Sequence, residues 1–183
     1  MSILNIVNDN DEIIGQASRA EIHELGLPHR EVNIYFITPS NKIIFQHRSQ
    51  SKDTYPNLLD ASVGGHVEIG DSYEETAIKE IFEEAGLKLT AADLLPIKKS
   101  KKMVTDELTG RINNTFNYRF AYIFKGELSE LKIEDGEGQG FESWSIDKLL
   151  NLNDAEKSRF IPAVLDFVCH DLVEFIKLNK INL

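Results

Sequence analysis

The chain has 183 residues, 42% hydrophobic and 27% charged, the make-up of a folded domain with room for a sizeable core. Its 30 acidic and 20 basic residues give a net charge of −10, which argues against nucleic-acid and anionic-membrane partners. No stretch approaches the ~20 apolar residues of a membrane span, no leader pattern opens the chain, and the lone Cys169 permits no internal disulfide. The reading is one domain, 1–183, in the cytoplasm.

Residues 1–30 predict a hairpin and a short helix. The runs 3–7 and 13–16 flank a turn-rich stretch at 8–11, and Ser18 with Glu21 forms a capping box that Gly26 terminates. β-branched and aromatic residues at 32–38 and 42–48 predict two paired strands meeting at Pro39-Ser40-Asn41. The run 58–63 predicts a strand that delivers Gly64-Gly65. Beyond the next helix, 94–104 and 114–124 predict long strands joined around 106–110. In the second, Phe116, Tyr118, Phe120, Tyr122 and Phe124 alternate, so one face is buried. A strand at 141–145 and a short helix capped by Asp147 follow. A last helix at 160–179 carries Val164, Leu165, Val168, Leu172 and Ile176 as its apolar stripe, with Pro162 near its start. Cys169 sits in that apolar run and reads as a small buried residue. Strands with helices on both faces make an α/β protein.

Residues 64–87 read GGHVEIGDSYEETAIKEIFEEAGL. Ser72 and Glu75 form a second capping box and Gly86 is a natural helix stop. Glu74 and Glu75 suit the positive end of the helix dipole, but Glu83 and Glu84 crowd its negative end, and Glu80 repels Glu84 at i,i+4. Stability alone would place lysine or arginine there. A bound hard cation, which takes oxygen ligands, explains the carboxylates.

This segment closely resembles the signature of the Nudix (MutT-like) pyrophosphohydrolases, G-x5-E-x7-R-E-U-x-E-E-x-G-U, starting at Gly65 and completed by Lys79-Glu80-Ile81-Phe82-Glu83-Glu84-Ala85-Gly86-Leu87. Asp71 replaces a glutamate and Lys79 an arginine of the pattern. The resemblance implies an α/β/α sandwich with a mixed sheet and a Mg²⁺-dependent hydrolase of phosphoric anhydride bonds, with Mn²⁺ as the alternative ion. It implies metal ligation by Glu83, Glu84, Glu80 and the Gly64 or Gly65 carbonyl, with Glu80 also a candidate base. Lys79 is expected to orient Glu80, and Asp71 to brace the loop–helix junction.

Downstream, EGQG-x-x-x-W resembles a loop of MutT-like enzymes that adds a carboxylate to the metal cluster, and Glu137 is the matching residue, ahead of Glu134 and Asp135. The first half of the chain also resembles the isopentenyl-diphosphate isomerase-like branch, whose basic residues at the positions of Arg48 and Lys52 hold a substrate diphosphate. Gly64-Gly65 stands where isomerases need a cysteine, and no acid stands near 113–115, so hydrolysis is favoured over isomerisation. His23, His29 and His66 loosely resemble the isomerase metal histidines; without partner carboxylates they read as hydrogen-bonding or surface residues. Lys98, Lys99, Lys101 and Lys102 read as a solvated strand face, with a polyphosphate clamp or a second subunit as the alternative. The partner expected is a small phosphorylated molecule, of nucleotide type; a homodimer and a catalytically weak nucleotide-binding module stay open.

Overall fold

The structure is a computed structural model and describes residues 2–52, 54–106 and 109–179. Strands β1 (Ile3–Val7) and β2 (Ile13–Ser18) form the expected hairpin. Helix α1 (Arg19–Leu25) follows, with its capping box intact and Gly26 in the left-handed region at φ 65°. The main sheet runs β5 (Leu59–Asp60), β4 (Lys42–Arg48), β3 (His29–Ile37), β8 (Ile112–Ile123) and β7 (Leu95–Thr105). Strand β6 (Val63–His66) pairs with the first half of β3, and β9 (Gly138–Ser145) with β4. β3 and β8 are parallel, and the other pairings are antiparallel. The turn expected at 106–110 lies partly outside the described residues.

The strand expected at 58–63 is instead two short ones. Ser62 separates them: its hydroxyl accepts from the Phe36 amide at 2.7 Å and donates to the Ile44 carbonyl. The chain thereby leaves β4, where Asp60 faces Gln46, and joins β3, where Val63 faces Ile34.

Helix α2 (Tyr73–Ala85) is held at its start by the reciprocal Ser72–Glu75 bonds, of 3.2 and 2.8 Å, and ends at Gly86 with φ 73°. It packs Ala77, Ile81 and Ala85 against Val32, Ile34, Phe116 and Phe120. The opposite face of the sheet packs Tyr35, Ile37, Phe45 and Ala121 against the C-terminal region. That region comprises α3 (Ile146–Leu149), α4 (Asp154–Lys157), α5 (Pro162–Phe167) and α6 (Val173–Leu178). Ser145, not Asp147, caps α3, accepting from the Lys148 amide at 3.2 Å. The single long helix expected at the end is interrupted by a π-turn at Val168–Leu172, which rotates the last turns so that both Leu172 and Val173 are buried. Cys169 is half-buried, its thiol directed at the Leu149 carbonyl at 3.6 Å, and burial pushes its pKa up. Helices thus cover both faces of a mixed sheet. Among the described residues no helix is long and apolar enough to cross a membrane.

Candidate active site

A cleft of about 470 Å³ opens between the end of α2, the β6 glycines and the α5 side of the sheet. Glu80, Glu83, Glu84, Glu134 and Glu137 all line it, with Gly64, Arg48 and Lys52. The sequence motifs separated by some fifty residues therefore meet in space, because β9 pairs with β4 and carries the loop before it to the end of α2.

The glutamates are unequal. Glu83 is exposed, Glu80 is partly buried, and Glu84 is buried. Burial, then the charges of Glu83 and Glu137, raise the Glu80 carboxyl to about 7. Burial also pushes Glu84 well above the usual range, helped by Glu80 and Glu137, while a hydrogen bond from Gln46 opposes the shift. Gly65 is required for this packing: a Cβ there would lie 2.1 Å from Glu80 Oε1. At Gly64 a Cβ would lie 2.6 Å from Asn33 Nδ2.

The basic residues are spoken for. Arg48 donates to Asp60 at 2.8 Å and to the Thr54 and Tyr55 carbonyls at 2.8 and 3.2 Å, tying down the loop after β4. Lys52 pairs with Glu137. Lys79 does not reach Glu80. Its ammonium pairs with Glu68, since neighbours on an α-helix point about 100° apart and Lys79 faces the incoming loop. Asp71 sits in that loop, its amide donating to the Glu68 carbonyl at 3.3 Å. The lysines of β7 are tethered too, Lys98 to Asp171, Lys99 to Asp11 at 2.5 Å and Lys101 to Asp9, while Lys102 reaches the cleft.

The structure adds one feature and corrects another. First, the polar residues alternating with the aromatics of β8, Asn113, Thr115, Asn117 and Arg119, form the cleft floor together with Glu31, Asn33 and Tyr35 of β3. The signal was the same alternation read in its other phase. Second, His23, His29 and His66 converge, with one nitrogen from each lying within 4.8 Å of the others. His23 and His66 share a hydrogen bond of 3.2 Å, as expected of hydrogen-bonding residues, but Glu31 Oε1 lies 3.6 Å from His66 Nε2, where no partner carboxylate was expected, and His29 is fully buried rather than on the surface. His29 Nδ1 donates to the Leu27 carbonyl at 2.9 Å, which leaves a bare, unpartnered Nε2. Burial holds His66 well below the ordinary histidine range. Nitrogen donors so placed could share a cation that prefers imidazole, whereas the glutamates offer oxygen to a harder one.

The architecture and the carboxylate helix define a class that comparison with known proteins shares. The chain belongs to the Nudix hydrolase family, matching the NUDIX domain over residues 27–164. It is 30% identical over 154 residues to an uncharacterized Nudix hydrolase of Clostridium acetobutylicum, covering 82% of this chain and 73% of that protein. A crystal structure of a Deinococcus radiodurans protein matches with TM-score 0.66 and 25% identity, covering 82% of this chain and 87% of that one. The fold is shared by a bifunctional NMN adenylyltransferase/ADP ribose pyrophosphatase of Francisella tularensis, complexed with AMP and a Mn ion. There the TM-score is 0.53 at 17% identity, with 83% of this chain and 42% of that one covered.

Proposed function

We propose that this Nudix hydrolase cleaves the diphosphate linkage of a small nucleotide-type substrate, with Mg²⁺ or Mn²⁺ held by Glu80, Glu83, Glu84, Glu137 and the Gly64 carbonyl. The observation that carries this reading is the convergence of Glu80, Glu83, Glu84 and Glu137 on one cleft, where burial first and neighbouring carboxylates second raise the Glu80 and Glu84 carboxyls. Such crowding is unfavourable in the free protein and is relieved by a cation. An all-oxygen donor set facing a phosphate substrate fits Mg²⁺. When bound, the ion supplies neutralisation of charge on the diphosphate oxygens.

The chain's own groups do the rest. Glu80 is also the candidate base: where it does not ligate the ion, its carboxylate would accept a proton from the attacking water. Gln46 holds Glu84 in place at 3.0 Å. Lys52 holds Glu137, and Arg48 shapes the loop between them. Lys79 acts through Glu68, fixing the loop that leads into α2. The complex named for the Francisella enzyme, with AMP and Mn, is in keeping with a nucleotide-type substrate and with Mn²⁺ as a usable ion.

The test is a panel of nucleoside diphosphate derivatives and nucleoside di- and triphosphates, incubated with and without Mg²⁺ or Mn²⁺. Metal-dependent release of phosphate or a nucleotide product is the expected result. Because Lys79 leaves Glu80 without the contact the family pattern implies, the second reading is a ligand-binding module of weak turnover. Tight nucleotide binding with no product at high enzyme concentration selects it.

A further inference from the structure

Arg119 on β8 is only 9% exposed. Its guanidinium lies 4.6 Å from the centroid of the Phe167 ring, Nη1 donates to Ser100 Oγ at 2.7 Å, and the guanidinium also donates to the Tyr35 hydroxyl. The buried Nε has no acceptor. Among the described residues no carboxylate lies within the 4.0 Å that defines an ion pair with it. Of the acids nearby, Asp60 pairs with Arg48 at 2.8 Å and Asp171 with Lys98, while Asp166 and Asp171 line a second, smaller cavity with Arg119. Burying a cation without a counter-ion is unfavourable. In a chain of net charge −10, a counter-ion of its own was readily available.

The position of Arg119 gives this meaning. In the sheet it faces Asn33 of β3, and Asn33 faces Gly64 of β6. Two strand spacings, about 10 Å, therefore separate its backbone from the signature glycines along one row. The floor between is amide: Asn117 donates to Asn33 at 2.6 Å and keeps a buried Oδ1 without a donor. The cleft has an acidic end at Glu80 and Glu84 and a cationic end at Arg119, with polar groups unspent between them.

We propose that Arg119 is a substrate-binding residue that receives an anionic group, phosphate or carboxylate, on the part of the substrate remote from the reacting diphosphate. The substrate class is thus a substituted diphosphate whose second moiety carries its own negative charge. This rests on reading the acidic end as the hydrolytic site. An oxyanion accepts from the part of the guanidinium that lines the cleft in a charge-assisted bond, and the ring of Phe167 keeps the guanidinium from swinging away.

The test uses the full chain without divalent metal, so that the acidic end contributes no attraction. Inorganic phosphate is titrated in one arm and acetate in the other, while the arginine Nε–H signals are followed by ¹⁵N NMR. One signal, identified as Arg119 by its absence in Arg119→Lys, should shift saturably. The anion that shifts it tells phosphate from carboxylate. Arg119→Gln should weaken binding at least about tenfold, the loss expected for a charge-assisted hydrogen bond. Shifts confined to other arginines, or equal affinity in Arg119→Gln, overturn the proposal. If Arg119→Gln does not fold, the wild-type titration and Arg119→Lys decide alone. A saturable Arg119 shift in a protein that hydrolyses no diphosphate keeps the anion site and removes the hydrolytic reading. Hydrolysis with the same kcat/KM in wild type and Arg119→Gln, for substrates with and without a second anion, does the reverse.

Discussion

Gln46 donates its side-chain amide to Glu84 Oε2 across 3.0 Å, and each residue is only 4% exposed. A strand from one half of the sheet thus supplies the protein donor to the most deeply buried carboxylate of α2. Replacing Gln46 with leucine removes the one contact that favours the ionised form of Glu84. A carboxyl that holds its proton more tightly competes with metal. Mn²⁺ binding measured by EPR at pH 7 should weaken by about tenfold. The difference should shrink as pH rises, because the proton is the competitor.

Glu83→Gln and Glu84→Gln should each lower kcat by at least ~10²-fold with the fold kept, since each removes a charged donor from the proposed metal cluster. Without metal, the Tm of Glu84→Gln should hold or rise, because a buried carboxyl that burial and the charges of Glu80 and Glu137 disfavour in its ionised form is gone. A large drop in Tm would assign Glu84 a structural role instead.

The raised carboxyl of Glu80 makes metal-free stability depend on pH. The folded value, about 7, lies above the unfolded one of 4.5. Between the two the folded state binds more protons, so stability is greatest below 4.5 and is lost as pH rises towards 7. His66, depressed in the folded state, acts oppositely below 6.5, so the comparison must be made between variants. The Tm of metal-free Glu80→Gln minus that of the wild type should be near zero or negative at pH 5 and grow to pH 8. A flat difference would refute the shift.

Gly65→Ala places a methyl group 2.1 Å from Glu80 Oε1. Glu80 can rotate away, since the contacts within 3 Å are to its flexible side chain, so the fold should survive. The displaced carboxylate should lower kcat by at least about tenfold, with KM less affected. Steady-state kinetics together with a melting curve checks both halves of the statement.

Lys79 and Glu68 form an exposed pair, at 42% and 55% exposure. Exposed pairs contribute little. Lys79→Ala and Glu68→Ala should each change kcat by less than about fivefold, and the double variant should be no worse than either. A loss above ~10²-fold in Lys79→Ala alone would restore direct orientation of Glu80 as its task.

What the chain's own sequence determined is local. The two capping boxes, the left-handed glycines at 26 and 86, the first hairpin and the aromatic phase of β8 all appear where their residues place them. Each depends on neighbours within a few positions, whose energetics the sequence displays directly. The Glu80, Glu83 and Glu84 spacing belongs with them, because one helix carries all three. Tertiary structure alone decided which distant groups meet these carboxylates. The β4–β9 pairing brings the Glu137 loop to α2, and Gln46 reaches Glu84 only because β4 passes beneath it. The split at Ser62, the turn of Lys79 towards Glu68, and the meeting of His23, His29 and His66 likewise follow from how strands cross. Arg119 is the sharpest case. Its alternation on β8 shows only that it faces away from the aromatics, whereas the parallel register with β3 sets it opposite Asn33 and inside the cleft. Register between strands is chosen by the packing of the whole sheet, and no short window of residues contains that information.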